Sequence, residues 1–479
     1  MEFPEGKKHG AGSVYYPAAR NNRHRNGEAL FQSSAPLPYS DRAEMRERAL
    51  ADTGERRRNF VAAVLLAALS WAAIYAAITA WPSQARTRPI KVGVLHSLSG
   101  TMAVSERNVA DATLYAIEEL NRHGGVLGRK VEAVVVDGRS DWGVFAAAAE
   151  RLIVQDKVSA VFGCWTSACR KTVRPVFERR DAVLFYPVQY EGLEQSPNIV
   201  YTGAAPNQQI IPAIKWTLDH LGRRLFLVGS DYVFPRTANK IIAAQTAALQ
   251  GEVVGEAYAP LGSQDFAAIV EAVRRARPDV IFNTINGDSN LGFFKALRAA
   301  GITPGDIPVM SFSIAESEVK AIGPAVLDGD YAARNYFQSV DTPENQAFVT
   351  GFRARYGAGT VTTAPMEAAY FGVMLWAKAV EEADSPDFRD FRATIKGQSM
   401  ASPGGTVTID PATQHTWKTV RIGRVRQDGN FQILWDSQRP VRPVPFPSFL
   451  PRAEWLHFLD RLYLGWNGNW AAPPPRGDG

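Results

Sequence analysis

The hydrophobic pattern of the chain breaks sharply at Phe60. From Phe60 to Trp81 there is no Lys, Arg, Asp, Glu or His. A helix over that run, rising about 1.5 Å per residue, reaches roughly 33 Å, the hydrocarbon thickness of a bilayer. Arg56-Arg57-Arg58 stands directly before it, so the positive-inside tendency keeps the N-terminus in the cytoplasm and exports the chain beyond Trp81. Residues 1–59 mix Pro, Gly, Ser, Asn and Arg without an apolar period and read as disordered. The run predicts an uncleaved signal anchor over 60–81, followed by a linker over 82–89. A cleaved signal peptide competes with it, because a start at Met45 shortens the lead and Ser83-Gln84-Ala85 is a weak cleavage site. A buried core helix is a third reading.

From residue 90 the pattern alternates between short apolar runs and helical periods. Strands are predicted over 90–95, 131–136, 160–163, 182–186, 224–229, 252–258, 280–284, 308–312 and 329–335. Helices are predicted over 108–121, 144–155, 167–177, 240–249, 266–275, 291–300, 343–356 and 364–383. Residues 404–435 read as β-hairpin material, with Asp428-Gly429 as a turn. This succession implies an α/β protein with parallel, doubly wound sheets, whose ligands bind at the carboxyl ends of the strands. It is too long for one sheet, so two lobes are expected.

Composition narrows the function. With 46% hydrophobic and 21% charged residues the 479-residue chain is globular. A net charge of +5 is too dilute to suggest nucleic-acid binding. Two cysteines and seven scattered histidines without HxH or HExxH spacing predict no metal site. GxSxG, GxxxxGK[ST] and GxGxxG are absent, so neither an enzyme nor a cofactor is expected. The strand-end loops instead carry hydroxyls, amides and aromatics: Cys164-Trp165-Thr166-Ser167, Tyr186 to Tyr190, Asp231 to Phe234 and Asn286 to Asn290. These suit a small, polar, planar ligand.

Longer blocks point further. GVLHSLSG (93–100), FGCWTSACRK (162–171), YPVQYEG (186–192), YTGAAPNQQ (201–209), GSDYVFPRTAN (229–239), FNTINGDSN (282–290), YFQSVDTPEN (336–345) and the tail with AEW (453–455) and LGWNGNW (464–470) resemble the substrate-binding proteins of urea ABC transporters. The wider class is the type I periplasmic binding proteins, which includes leucine-binding proteins and the aliphatic amidase negative regulator. The resemblance implies two Rossmann-like lobes joined by a three-segment hinge and preceded by one transmembrane helix. Lobe 1 would be 90–207 plus 336–399, lobe 2 would be 208–335 plus 400–445, and 446–479 a C-terminal extension and tail. The third hinge crossing would fall near Ser402-Pro403. The function implied is a membrane-anchored extracytoplasmic receptor that closes on urea and delivers it to permease subunits. The alternative is a receptor or sensor for short amides.

The same resemblance implies ligand contacts. Ser167, at the start of its helix, corresponds by motif to a serine that contacts ligand, and Trp165 forms a wall beside it. Tyr186, Val188, Gln189 and Tyr190 come from the next loop, where Val188 and Tyr190 are bulkier than in amino-acid-binding relatives and shrink the pocket. Tyr232 and Phe234 cover the ligand from lobe 2. Asp288 accepts from amide N–H groups. Ser313 stands where amino-acid binders carry a carboxylate, which disfavours an ammonium. Each residue also has an ordinary structural reading, as a helix cap, a core ring or a solvated loop carboxylate. Cys164 in the loop and Cys169 inside the helix are expected to remain free thiols, their Cβ vectors diverging. Ala471 to Gly479 reads as a flexible tail.

Overall fold

A computed structural model describes residues 39–473 of the chain. Residues 1–38 and the end of the predicted tail, 474–479, lie outside the described residues. Contacts divide the chain between Trp81 and Pro82 into two units.

In the first unit, the disorder expected through residue 59 does not hold for 39–59, which belong to a single helix, Tyr39–Thr87. Ala, Arg, Glu, Met and Leu dominate that stretch and favour helix, and Arg56 pairs with Asp52 one turn back at 3.0 Å. Over Ala43–Ala76 the helix is long and apolar enough to cross a membrane, and its apolar window is 0% buried. The buried-core reading is therefore dropped.

The second unit is built on two parallel-rich sheets. Strands β1 (Ile90–His96), β2 (Val131–Asp137), β3 (Val161–Gly163), β4 (Leu184–Tyr186) and β5 (Ile199–Tyr201) form the first, in the order β2-β1-β3-β4-β5. All of its pairs are parallel. Strands β6 (Arg224–Ser230), β7 (Glu252–Ala259), β8 (Val280–Thr284), β9 (Val309–Ser311) and β10 (Tyr331–Arg334) begin the second. After β11 (Ser399–Ser402), β12 (Gly405–Ile409) and β13 (Thr416–Trp417), which make a small sheet of their own, β14 (Arg421–Val425) and β15 (Phe431–Asp436) complete it. Its order is β15-β14-β10-β9-β8-β6-β7. The helices cover both faces of each sheet, as buried parallel strands require.

The first lobe's core joins Phe162, Phe185, Phe371 and Trp376. Trp376 is fully buried, meets Phe162 edge-on at 6.1 Å, and donates its indole N–H to Ser159 Oγ at 3.2 Å. Gly163 ends β3 where a Cβ would meet the Leu95 carbonyl oxygen at 2.0 Å, so only glycine lets these strands approach at the site end.

Predicted elements fall in place, with differences at several ends. The helix expected over 240–249 runs from Val233 to Ala248. Its first turn holds Pro235, which suits a helix start because its missing N–H is not needed there. The third crossing differs too. Residues 399–417 do not belong to the second lobe: Val407 and Ile409 lie in the first lobe's core, and His415 bridges to Tyr201 on the edge strand β5. The crossing therefore falls between Trp417 and Arg421, not at Ser402-Pro403. The Asn335 side-chain amide sits at this junction and donates to the Gln208 carbonyl at 3.1 Å and the Thr419 carbonyl at 2.9 Å, tying the three crossing segments together.

The C-terminal extension packs as a helix, and Ala471, the first residue of the tail expected to be flexible, is held as well. The helix Arg452–Gly465 packs Trp455 and Leu459 into the second lobe's core. Ala471 bridges to Tyr232, and the Trp470 carbonyl accepts from Val233 N–H at 2.9 Å. Replacing Trp376 by Ala should lower stability by about 3–5 kcal/mol, through lost burial and the cavity left behind. Guanidinium chloride unfolding of wild type and variant measures this.

Candidate functional site

The two large sheets point the carboxyl ends of their strands at a common seam. His96, Trp165, Tyr186 and Gln189 come from the ends of β1, β3 and β4. Tyr232, Asn286, Ser313 and Arg334 come from the ends of β6, β8, β9 and β10. Hydrogen bonds cross the seam. The Trp165 indole donates to Asn286 Oδ1 at 3.3 Å and Gln189 Nε2 to the Phe312 carbonyl at 2.9 Å. Ser105 Oγ donates to Glu318 at 2.7 Å, and Thr101 Oγ1 donates to Asp288.

Thr166, not Ser167, caps the helix Ser167–Arg180: its Oγ1 accepts from Cys169 N–H at 3.0 Å. Ser167 is the first helical residue. Its hydroxyl donates to Glu191 and accepts from Arg170 at 3.0 Å. Tyr186 donates to the Trp165 carbonyl. Tyr190 turns into the first lobe, where its hydroxyl donates to His415 Nε2 and its ring stacks on Tyr201 at 5.2 Å. Val188 is buried in the same loop, its carbonyl against Gly203. Tyr232 and Phe234 lie 6.3 Å apart at the start of their helix, both buried. Asp288 is half-buried and already held by Thr101, whose carbonyl also accepts from Asp288 N–H. Ser313 is buried, and its hydroxyl has no partner among the described residues. The structure thus gathers Trp165, Tyr186, Gln189 and Ser313 at the seam, engages Ser167 and Asp288 with protein groups, and turns Tyr190 inward.

The two cysteines correct another expectation. Cys164 and Cys169 form a disulfide, with Cα atoms 6.5 Å apart. The loop from Cys164 folds back over the first turn of the helix, so the Cβ vectors converge instead of diverging. Among the described residues no group of His, Cys, Asp and Glu could hold a metal ion.

A charge network was not anticipated. Arg170 is fully buried and pairs with Glu191 at 3.1 Å and Glu194 at 2.8 Å. Lys171 joins Glu194 at 3.1 Å. The Arg170 guanidinium lies 4.3 Å from the Tyr190 ring centroid and 4.9 Å from that of Tyr186. Burial alone would raise the Glu194 carboxyl, but Arg170, Lys171 and Arg174 outweigh it and hold it well below the usual carboxylate range. Arg170 and Glu191 stand inside the motif blocks 162–171 and 186–192. The signal available was Arg170 one helical turn beyond Ser167. Arg334 and Glu316 were also missed. Both are buried in the second lobe beside the seam, and Glu316 opens the helix Glu316–Ile322 three residues beyond Ser313. A carboxylate is therefore present near that position after all. Arg334 lines a small cavity of about 10 Å³ with Gln189, Gly203 and Gln209.

Comparison with known proteins places this geometry. The family described as periplasmic binding protein domain matches residues 90–452, and the chain belongs to it. A Leu/Ile/Val-binding protein homolog 6 of Brucella melitensis is 28% identical over 359 residues, covering 71% of this chain and 89% of that protein. A solute-binding protein of an ABC transporter from R. palustris, solved in complex with 4-hydroxybenzoate, is 27% identical with a TM-score of 0.65. It covers 74% of this chain and 97% of its own. A leucine-binding protein from Thermotoga maritima, 22% identical with a TM-score of 0.65, shares the fold. The chain is an ABC-transporter solute-binding receptor and, like these relatives, not an enzyme.

Two outcomes test the network. Replacing Arg170 by Met leaves two buried carboxylates without their main partner and should cost about 3–5 kcal/mol in guanidinium chloride unfolding. His415 is buried, which pulls its imidazole down to about 4 from 6.5, against the opposing Thr413 carbonyl. Above pH 6.5 neither state carries the proton. Between pH 6.5 and about 4 the unfolded chain takes up a proton that the folded chain refuses, so stability falls as pH drops, by up to about 3 kcal/mol. Unfolding at pH 7.5, 5.5 and 4.5 should show this extra loss in wild type and not in His415→Gln.

Proposed function

We propose that the protein is a receptor that closes on urea, or a comparably small amide, and delivers it to the permease subunits of an ABC transporter. Residues 60–81 hold it at the cytoplasmic membrane with both lobes outside. The observation that carries this reading is the size and polarity of the seam. Hydrogen bonds close it, the buried rings of Trp165, Tyr186 and Tyr232 stand at it, and the cavity beside Arg334 is only about 10 Å³, roughly one water-sized probe sphere. A planar solute of a few atoms needs little widening. Leucine or hydroxybenzoate requires the lobes to stand further apart.

A second reading is an acid bound through Arg334. It is favoured by the buried guanidinium and by the R. palustris relative solved with 4-hydroxybenzoate. Calorimetric titration of the purified full chain with urea, acetamide, butyramide, leucine and 4-hydroxybenzoate separates the two. Heat with urea or the amides is expected. Binding of leucine or the benzoate with urea silent overturns the proposal. For the anchor, mass spectrometry of the mature protein should find residues 60–81 retained, and an N-terminus near Arg86 overturns that part.

A further inference from the structure

Buried polar groups without a partner are rare in folded proteins, and several occur together beside the seam. Arg334, at the end of β10, is 2% exposed. Its Nε donates to the Ile314 carbonyl at 3.0 Å, while Nη1 and Nη2 find no partner among the described residues. Glu316 is 1% exposed. Its Oε1 accepts from Gln338 N–H at 2.7 Å, while Oε2 has no partner among the described residues. Ser313 Oγ is likewise unpartnered. The two hydrogen bonds fasten the loop 313–316 to the segment 334–338, and Glu316 is near enough to Arg334 to act on its charge. Ser105 closes the other lobe onto the adjoining Glu318. Arg334 also reaches the small cavity at the seam.

We propose that Arg334 and Glu316 form a two-ended reader for the solute. Nη1 and Nη2 donate to one carbonyl oxygen of the ligand, and Glu316 Oε2 accepts from an N–H of the same planar group, with the Ser313 hydroxyl beside them. Charge selects the class. Burial pulls the Arg334 guanidinium down to about 10, and the negative charges that oppose this are Glu318 and Glu316. Two carboxyls thus already face one cation, and burial raises that of Glu316 to about 7, so it carries part of its charge near neutral pH. A carboxylate ligand adds surplus negative charge to a site shut off from water, and a purely cationic ligand offers the guanidinium no acceptor. A zwitterionic amino acid could match both ends by charge, but its tetrahedral carbon and side chain require far more widening of the cavity than a planar amide does. A neutral carboxamide or urea supplies an acceptor and N–H donors in one plane.

This inference rests on the small-amide reading, and a series of near-isosteric planar probes separates the two. The full chain is titrated with urea and acetamide, which carry both an acceptor and N–H groups. It is also titrated with acetate, which lacks N–H, and with millimolar guanidinium, which lacks an acceptor. Urea and acetamide should bind, and acetate and guanidinium at least tenfold more weakly. Arg334→Met and Glu316→Gln should each weaken urea tenfold or more. The new glutamine must keep its oxygen on Gln338 N–H, which turns a donor toward the ligand. Arg334→Lys, which keeps the charge without the fork, should recover only part. Thermal unfolding checks that each variant is folded, and if Arg334→Met is not, the near-isosteric Glu316→Gln carries the test. Wild-type urea binding left unchanged in the folded variants overturns the reader and leaves the receptor reading standing. Acetate bound more tightly than acetamide overturns the neutral class. Silence of the wild type toward urea and amides overturns both.

Discussion

Two sets of parallel strands aim their carboxyl ends at each other, and the polar groups on the intervening loops have no bulk water to turn to. Each must bond across the seam, bond within its own lobe, or take its partner from a ligand. Trp165 and Gln189 use the first solution, and Ser167 and Tyr190 the second. Arg334, Glu316 and Ser313 use neither in full. Leaving a buried donor or acceptor unmatched is costly. This constraint sorts the loops into closing contacts, supporting contacts and groups available to a solute.

The supporting contacts concentrate around Arg170. A guanidinium taken wholly out of water is stable only where carboxylates and rings surround it. Glu191, Glu194, Tyr186 and Tyr190 supply that shell. Most of these residues come from the loop after β4, so the network fixes the conformation of the very loop that supplies Gln189 to the seam. The residues expected to touch ligand and the residues that stiffen the site are therefore interleaved along one short stretch. This explains why Tyr190 faces the interior while its neighbour Gln189 faces the other lobe.

The alternation of apolar runs with helical periods made the sheets legible, because strands buried on both faces leave unbroken hydrophobic stretches such as 90–95 and 280–284. Strand ends as the place for the site also followed from that pattern. Short or edge elements were less visible. β5 has three residues and β13 two, and the contact that ties this segment to the first lobe is a single bridge from His415 to Tyr201, so hydropathy gave no reason to move the third crossing from 403 to 418. Charges were the hardest to read. An arginine such as Arg170 or Arg334 is usually solvated, and only three-dimensional placement distinguishes a buried one. The disulfide was hidden for a related reason, since it depends on how a single loop folds back onto its helix.

One side chain at the boundary between the lobes has a mechanical implication. Asn335 is itself part of one crossing segment, and its amide grips the backbone of the other two through Gln208 and Thr419. The three connectors are thereby riveted at a common point. Any rotation of one lobe against the other would turn them as an ensemble about that rivet, and slippage in any one of them would be felt by its companions. A single carboxamide thus makes three separate stretches of chain behave as one axle.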